Sequence, residues 1–366
     1  MNILRRLPLY RLLALFLLVI AAGISATAIA FALGTGPTPP AKPLAQAVHD
    51  ALEQSGGAPV EGVSAKITLT NHLLEGANLA GGGEETGELA SSPLISGASG
   101  RLWIAKDGRL RVELQAEKGD TEIFYDGHTV SLYDAASNTL YHYTPPASSQ
   151  SATPAHAHEV PSVAKIEEGI ARLQRHADVS QATPTDVAGQ PAYTVRVSPN
   201  EGGSLIGGAE LSFDANNGVP LRAAIYSSTN SSPVIELAAS EVSYGPVPSS
   251  VFEFTPPPGA AVKEVSLPHE HGAGSVNPPS DSEKPKLSTH GHGPATIAVV
   301  ESKDKDEGGA SSEPPAGLAK VTIDGASADE LRTELGTLLT FERSGVRYLV
   351  AGALAPAAIE ELARGL

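Results

Sequence analysis

The chain has 366 residues, with 41 acidic and 25 basic side chains and a formal net charge of −16. This negative balance argues against binding to a nucleic-acid backbone, which needs a basic surface. Cysteine is absent. The chain therefore has no disulfide, no thiolate metal site, no thiol nucleophile and no acylated N-terminal cysteine.

The N-terminus reads as a targeting segment. Residues 1–11 carry three arginines, and residues 12–33 form an apolar run without a charge. That run is about long enough to span a bilayer, and the preceding arginines place the N-terminus in the cytoplasm. We predict a cytoplasmic tail (1–11) and a single-pass signal anchor in the cell membrane (12–33), with the rest of the chain extracytoplasmic. The alternative is a signal peptide cleaved near Ala32, which would release a secreted protein.

A Pro-rich spacer (34–43) leads into a predicted domain at 44–265. The domain begins with a helix from Leu44 and a strand at 63–70, followed by a long loop rich in Gly and Glu. Further strands follow at short intervals, too close together for parallel crossovers, so we predict a mainly antiparallel sheet.

The stretch GRLWIAKDGRLRVEL (100–114) is typical of a β-hairpin and is compatible with two turns. A two-residue turn would mix leucines and arginines on one face. A three-residue turn, with Gly108 in the left-handed region, pairs Ala105 with Arg109 and separates apolar from charged residues. We favour the second turn, because register follows the hydrophobic pattern. It places five aliphatic residues on one face: Leu102, Ile104, Leu110, Val112 and Leu114.

Trp103, the only tryptophan of the chain, then lies on the opposite face beside Arg109 and Arg111. A guanidinium stacked on the indole would contribute about 0.5–1 kcal/mol. The alternative is that Trp103 packs in the core.

An amphipathic helix is predicted midway through the domain, where Val163, Ile166, Ile170 and Leu173 recur at helical spacing. It either closes the core of the sheet or acts as a movable lid over an apolar cavity, which is where hydrophobic ligands bind.

Residues 266–317 are rich in Pro, Ser, Gly, Lys, Glu and His, so we predict a disordered linker there. A small C-terminal α+β module is predicted at 318–366. It contains a strand in 319–324, a helix over 328–335, a hairpin turning at Ser344-Gly345, and a terminal helix.

The candidate chemistry is sparse. Three pairs of histidines have the His-x-His spacing that can ligate Zn or Cu: His156/His158, His269/His271 and His290/His292. All three lie in predicted loop or linker, and no cysteine thiolate is present to complete a site. We therefore predict no metal site. No nucleophile elbow, phosphate-binding loop or dinucleotide fingerprint is present, and no acid/base pair can be assembled. We predict a protein that is not an enzyme and needs no cofactor.

The order of the pieces resembles the LolA/RseB-like superfamily, in particular its actinobacterial branch. Gly100, Leu102 and Trp103 match the Gly-x-Leu-Trp of the carrier pattern, which precedes a basic turn. Asp126-Gly127, followed by a strand ending in Tyr133-Asp134, matches the next hairpin. The stretches DVAGQPAYTVRVSP, GVPLRAAIY, VFEFTPPPGAAV and LLTFERSGVRYLVAGALAP look like the same branch.

The resemblance implies an incomplete, half-open β-barrel with a helical lid, wrapped around an apolar cavity. Its implied cavity wall comprises Leu102, Ile104, Leu110, Val112, Leu114, Val130, Leu132, Ile166 and Ile170. Trp103, Lys106, Arg109 and Arg111 are implied lid or outer-face contacts. Family carriers have Lys-Arg-Pro at the first turn, with an arginine that holds the lid. Here only Lys106 stands in that place.

The implied partners are a lipid, an acyl chain or a lipidated protein. One alternative is an RseB-like envelope-stress sensor that contacts a membrane regulator. Another is a structural surface protein without a ligand.

Overall fold

The computed structural model describes residues 36–57, 60–75, 77, 92–117, 119–144, 160–200, 202–265, 286–303 and 318–366. The predicted tail and anchor, 1–33, lie outside these ranges. Among the described residues, no helix combines the length and the apolar character needed to cross a membrane.

The described residues form helices and strands in a largely β architecture. The helices are α1 (Leu44–Gly57), α2 (Pro93–Ser96), α3 (Val163–Leu173) and α4 (Pro356–Arg364). The strands of the first part are β1 (Gly62–Asn71), β2 (Ala98–Ala105), β3 (Leu110–Ala116), β4 (Gly119–Tyr125), β5 (Val130–Asp134), β6 (Thr139–Tyr143), β7 (Ala177–Val179), β8 (Thr183–Val187), β9 (Gln190–Pro199), β10 (Ile206–Asp214), β11 (Pro220–Ser227), β12 (Pro233–Tyr244) and β13 (Ala261–Glu264). Those of the second part are β14 (Lys286–His290), β15 (Ile297–Lys303), β16 (Ala319–Ile323), β17 (Ala326–Thr333), β18 (Gly336–Arg343) and β19 (Val346–Gly352).

The first thirteen strands form one sheet in the order β13-β6-β5-β4-β3-β2-β1-β12-β11-β10-β9-β7, and β8 also pairs with β9. β1 therefore lies in the middle and joins the meander β1–β6 to the strands β7–β12. Its pairs are antiparallel except β13 with β6, which is parallel. The two end strands do not pair with each other, so the sheet stays open. This confirms the predicted mainly antiparallel, half-open barrel.

The β2–β3 hairpin has the favoured three-residue turn. Ala105 N–H donates to the Arg109 carbonyl at 2.9 Å, and Gly108 has φ of 85°. Glycine is needed there because side chains rarely tolerate this left-handed conformation. Gly100 is constrained for a different reason: a Cβ would lie 1.7 Å from the Glu113 carbonyl oxygen of the paired strand.

Helix α3 forms where the apolar spacing predicts it. The Ser162 hydroxyl caps its first turn by accepting from Lys165 N–H at 3.4 Å. The helix buries no residue fully, and Leu173 is 44% exposed. Just before the helix, the Pro161 carbonyl oxygen lies 2.9 Å from His49 Nδ1 of α1. α3 is thus a lightly held element on the surface of the sheet.

The spacer predicted at 34–43 packs against the domain over its described part. The Tyr193 hydroxyl donates to the Pro40 carbonyl at 2.6 Å, and Tyr193 is buried. This hydrogen bond fixes the chain just before α1 to β9.

The C-terminal part is larger and more β-rich than predicted. Its six-stranded sheet has the order β14-β15-β19-β18-β17-β16, and α4 covers one face. β14 and β15 come from 266–317, so the prediction of one continuous disordered linker there is wrong. In β15 the alternate residues Ile297 and Val299 are buried, which is the period of a strand.

The helix predicted over 328–335 is also wrong, because most of that segment belongs to β17. Its composition of Ala, Glu, Leu and Arg favours a helix. β17 instead pairs with β16 and β18, and it buries Ala328 and Glu330, two residues apart. The predicted hairpin at Ser344-Gly345 is present between β18 and β19.

The two parts contact each other through backbone hydrogen bonds. Leu205 N–H donates to the Ala353 carbonyl at 2.7 Å, and Glu334 N–H donates to the Leu73 carbonyl at 3.2 Å.

Candidate functional site

Cross-strand pairing brings the predicted wall residues of the strands onto one face of the large sheet, here called the inner face. Directly opposed residues in an antiparallel pair share a face. Two pairing rows run across β2–β5, and Leu114 lies on the same face two residues beyond Val112: Leu102–Val112–Ile123–Leu132 and Ile104–Leu110–Tyr125–Val130.

Much of this part of the inner face is a packed core. Leu114 and Leu132 are 2% and 5% exposed, and they cluster with Leu94 of α2. Leu102 and Val112 are only half-buried and pack at the edge of the cluster. The wall predicted from the hairpin is therefore divided into a closed centre and an accessible rim.

Helices α1 and α3 pack on a different part of the sheet from the hairpin. Leu44 of α1 clusters with Tyr193 of β9 and Phe213 of β10. Ile170 packs against this second cluster, and Ile166 is half-buried. Of the two predicted wall residues on α3, Ile170 thus packs toward β9 and β10, away from the hairpin.

An apolar strip connects the two covered regions of the inner face. It is a pairing row across five neighbouring strands: Leu69, Leu237, Ala223, Leu211 and Val195. Leu69 is buried under the first cluster, whereas the other four are half-buried. We call these five residues the floor strip.

The sequence prediction missed the floor strip. The alternation in AELSF, PLRAAI and VIELAA signals that each strand has an apolar face. The strands that share the row are far apart in sequence, so alternation does not show that these positions align.

Two depressions on the described surface lie away from the floor strip. The first, of about 410 Å³, lies at the contact between the two parts of the chain, where His72, Glu75, Asn230 and Glu334 line it. The second, of about 250 Å³, lies on the outer face of the sheet beside Trp103. Both have a mixed lining, with Pro233 and Val234 beside the polar groups of the first and Trp103 and Val242 beside those of the second, so neither is the apolar cavity that the resemblance implies.

The outer face of the hairpin is partly covered by the segment after β12. Phe252 lies under the Arg109 guanidinium at 4.8 Å from its ring centroid. Arg111 donates to the Val251 carbonyl at 2.9 Å and lies 5.0 Å from the Phe124 ring centroid. Both arginines therefore have phenylalanine as their stacking partner.

Trp103 lies on this outer face, directly opposite Arg111, as the favoured register requires. We expected a guanidinium to stack on the Trp103 indole. Arg109 and Arg111 stack instead on Phe252 and Phe124. Lys106 is exposed at the hairpin turn, and its side chain forms no ion pair within the described part of the chain.

A buried ionic cluster lies on the outer face of β10–β12. Arg222 is 2% exposed and pairs with Glu210 and, at 3.3 Å, with Glu236. Tyr226 donates to Glu210 at 2.8 Å. Burial alone would raise the pKa of Glu210, but hydrogen bonds from Tyr226, Arg222 and Arg196 outweigh it and lower that pKa. The pKa of Glu236 is raised, mainly by burial.

The histidine pairs divide between described and undescribed residues. His156/His158 and His269/His271 lie outside the described ranges. His290 and His292 are exposed. Within the described ranges, no group of three or more His, Asp or Glu side chains is placed to hold a metal ion.

One comparison with known proteins supports an extracytoplasmic domain. A protein-family profile described as "Predicted periplasmic protein (DUF2092)" matches residues 88–159. No curated protein matches the sequence. Among solved structures, the chain is similar to MucB in complex with MucA(peri), with 15% identity, a TM-score of 0.43, and coverage of 87% of this chain and 97% of that one.

Two further solved structures are similar at lower scores. An uncharacterised conserved protein from Thermus thermophilus has 10% identity and a TM-score of 0.37, covering 60% of this chain and 100% of that one. A putative outer membrane lipoprotein-sorting protein domain from Vibrio parahaemolyticus has 9% identity and a TM-score of 0.19, covering 82% and 88%.

Proposed function

We propose that the domain at 44–265 binds the acyl chain of a lipid or of a lipidated protein along the floor strip, outside the cytoplasm. One observation carries this proposal: the apolar strip runs from one cluster to the other, yet four of its five residues remain only half-buried. Leu237 packs at the edge of the first cluster, Leu211 and Val195 pack at the edge of the second, and Ala223 lies between them. A half-buried apolar surface favours an apolar ligand, because a ligand that covers the surface releases the water molecules in contact with it.

Helix α3 supplies a moving part for such binding. It has no fully buried side chain, and Ile170 connects it to the cluster beside the strip. Moving a lightly packed helix costs less than opening the centre around Leu114, so we propose that the ligand enters beside α3. The N-terminal run 12–33 would hold the domain at the membrane surface, where lipid is abundant.

The test is the lipid content of the purified extracytoplasmic chain, residues 36–366, measured by native mass spectrometry and by lipid extraction. We expect a bound lipid in the wild type. Ala223→Trp should reduce bound lipid strongly, because the indole fills the middle of the floor strip. Ala171→Trp, on the exposed side of α3, is the matched control and should retain the lipid.

A wild type that takes up no lipid, even after incubation with phospholipid vesicles, contradicts this proposal. If Ala223→Trp and Ala171→Trp bound equal amounts of lipid, the ligand would have to bind elsewhere than on the floor strip. A lipid-free wild type would favour the structural-protein alternative.

A second candidate function is regulation by protein contact. The depression at 72–75, 230–234 and 334 lies where the two parts of the chain meet, and a segment bound there would contact both. One similar structure is MucB in complex with MucA(peri). Crosslinking in membranes from a phenyl-azide residue placed at Asn230 tests this idea, and recovery of no membrane-protein partner would contradict it.

A further inference from the structure

The second depression has a lining unlike that of the floor strip. It lies on the outer face of β2, β1 and β12, and its volume is about 250 Å³. Trp103 forms its only aromatic wall, beside Arg101, Lys66, Glu241 and two serine hydroxyls, Ser64 and Ser243. We call it the Trp103 groove.

The cross-strand pairs explain why these side chains meet. Trp103 is opposite Ser64, and Arg101 is opposite Lys66. Lys66 is in turn opposite Glu241. Because paired residues share a face, the three strands present one band of polar side chains with the indole at one end.

Arg101 is the charged side chain of the groove that has no ion pair within the described part of the chain. The carboxylate directly opposite it, Glu113, is held by Arg111 at 2.8 Å. The other nearby carboxylate, Glu241, is held by Lys66 at 2.7 Å. Within the described part of the chain, neither the exposed Arg101 guanidinium nor the Trp103 indole N–H has a hydrogen-bond partner.

This arrangement selects a ligand by two features. A free guanidinium offers parallel donors that match a carboxylate. The indole offers a flat apolar surface for the C–H face of a ring, with a polar N–H at its edge. Serine hydroxyls and Glu241 can bond further hydroxyl groups.

We propose that the Trp103 groove binds an acidic saccharide, with one pyranose ring stacked on Trp103 and its carboxylate paired with Arg101. The small volume holds one or two rings, so a longer chain would continue along the surface. The net charge of −16 repels anions at long range, but this effect is screened beyond about 8 Å at physiological salt. Recognition therefore depends on the local Arg101 contact.

The chain contains its own reporter, because Trp103 is the only tryptophan. The experiment titrates the extracytoplasmic chain, residues 36–366, with trigalacturonate while recording indole emission. The range extends to about 10 mM, which nearly saturates a site with a dissociation constant of about 1 mM. We expect a saturable emission change. Uncharged cellotriose should bind at least about tenfold more weakly, since it lacks the carboxylate.

Two variants test the Arg101 contact without touching the packed core. Arg101→Ala should weaken binding about tenfold or more, as expected for loss of a charge-assisted hydrogen bond. Lys66→Met should also weaken saccharide binding, because Glu241 would lose its lysine partner and could form an ion pair with Arg101. Arg175→Ala, another exposed arginine, is the control and should bind as the wild type does.

Absence of an emission change with trigalacturonate overturns the proposal. So does an emission change that Arg101→Ala leaves untouched, or equal affinity for trigalacturonate and cellotriose. Trp103→Phe, followed by calorimetry, should retain weaker binding because it keeps a ring. Unchanged affinity in that variant would show that the indole is not the stacking surface.

Discussion

The division of the inner face into a closed centre and an accessible rim predicts unequal costs for two chemically identical substitutions. Leu114 and Leu102 lie on the same face of the same hairpin. Leu114 is 2% exposed inside a cluster, whereas Leu102 is half-buried at its edge. Leu114→Ala and Leu102→Ala remove the same atoms from these two environments.

For Leu114→Ala we expect a loss of about 2–5 kcal/mol in the free energy of unfolding, because a rigid cluster leaves a cavity. For Leu102→Ala we expect about 1 kcal/mol. A fully buried leucine contributes about 1.5–3 kcal/mol by area, and Leu102 gives up only part of that on truncation. The expected difference is therefore at least about 1 kcal/mol.

Urea unfolding followed by Trp103 emission measures these costs, because the indole lies in β2 and reports the large sheet alone. The slope with denaturant should stay equal in both variants, so that midpoint shifts give the costs directly. Equal costs, or a larger cost for Leu102→Ala, would refute the division. The inner face of the hairpin would then be uniformly packed or uniformly open.

Three further predictions concern other parts of the large sheet. Gly100→Ala should cost about 2–3 kcal/mol, measured by urea unfolding, because its Cβ would lie 1.7 Å from the Glu113 carbonyl oxygen; an unchanged midpoint would contradict the close strand approach. The lowered pKa of Glu210 means that its stabilising contribution is present above its ordinary value near 4.5 and is lost as pH falls through the lowered pKa. Glu210→Gln should therefore show a shallower acid loss of stability than the wild type, and an unaltered acid profile would assign that loss to other groups. Tyr193→Phe should cost about 0.5–1.5 kcal/mol and speed amide exchange in 36–43, because it removes the hydrogen bond to Pro40; slow exchange there would show that other contacts hold the spacer.

The sequence was sufficient to predict the parts of the fold that depend on local pattern. Alternation in 100–114 determines both the register of the hairpin and the face of each residue. Helical spacing of apolar residues predicts α3. These signals work because side-chain periodicity and turn chemistry act within a few residues.

The errors have a common physical cause, which is pairing between distant segments. Residues 328–335 have helix-forming composition, but β16 and β18 flank them and form strand pairs. The short apolar run in 296–300 is too brief to stand out from a polar segment, yet β14 and β19 hold it in a sheet. The stacking partner of Arg109 is Phe252, more than a hundred residues later. No local pattern contains such pairings.

The predicted wall residues and the floor strip differ in whether local or distant strand pairing brings them together. The predicted wall residues of β2–β5 lie together because hairpins connect them in order. The floor strip depends on β1 pairing with β12, which brings Leu69 beside Leu237 from the far end of the domain. The floor strip is thus a property of the sheet order rather than of any single segment.

Arg101 and Leu102 are neighbours in sequence but lie on opposite faces of β2, so the two proposed ligands can be separated with adjacent substitutions. Arg101→Ala should abolish the preference for trigalacturonate over cellotriose and leave the amount of bound lipid unchanged. Leu102→Ala should leave the saccharide titration unchanged. It should loosen the edge of the cluster that contains Leu69, one end of the floor strip, and so alter the amount or the chain length of bound lipid. If either variant changed both readouts, the strand would be transmitting a conformational change, and the assignment of one ligand to each face would fail.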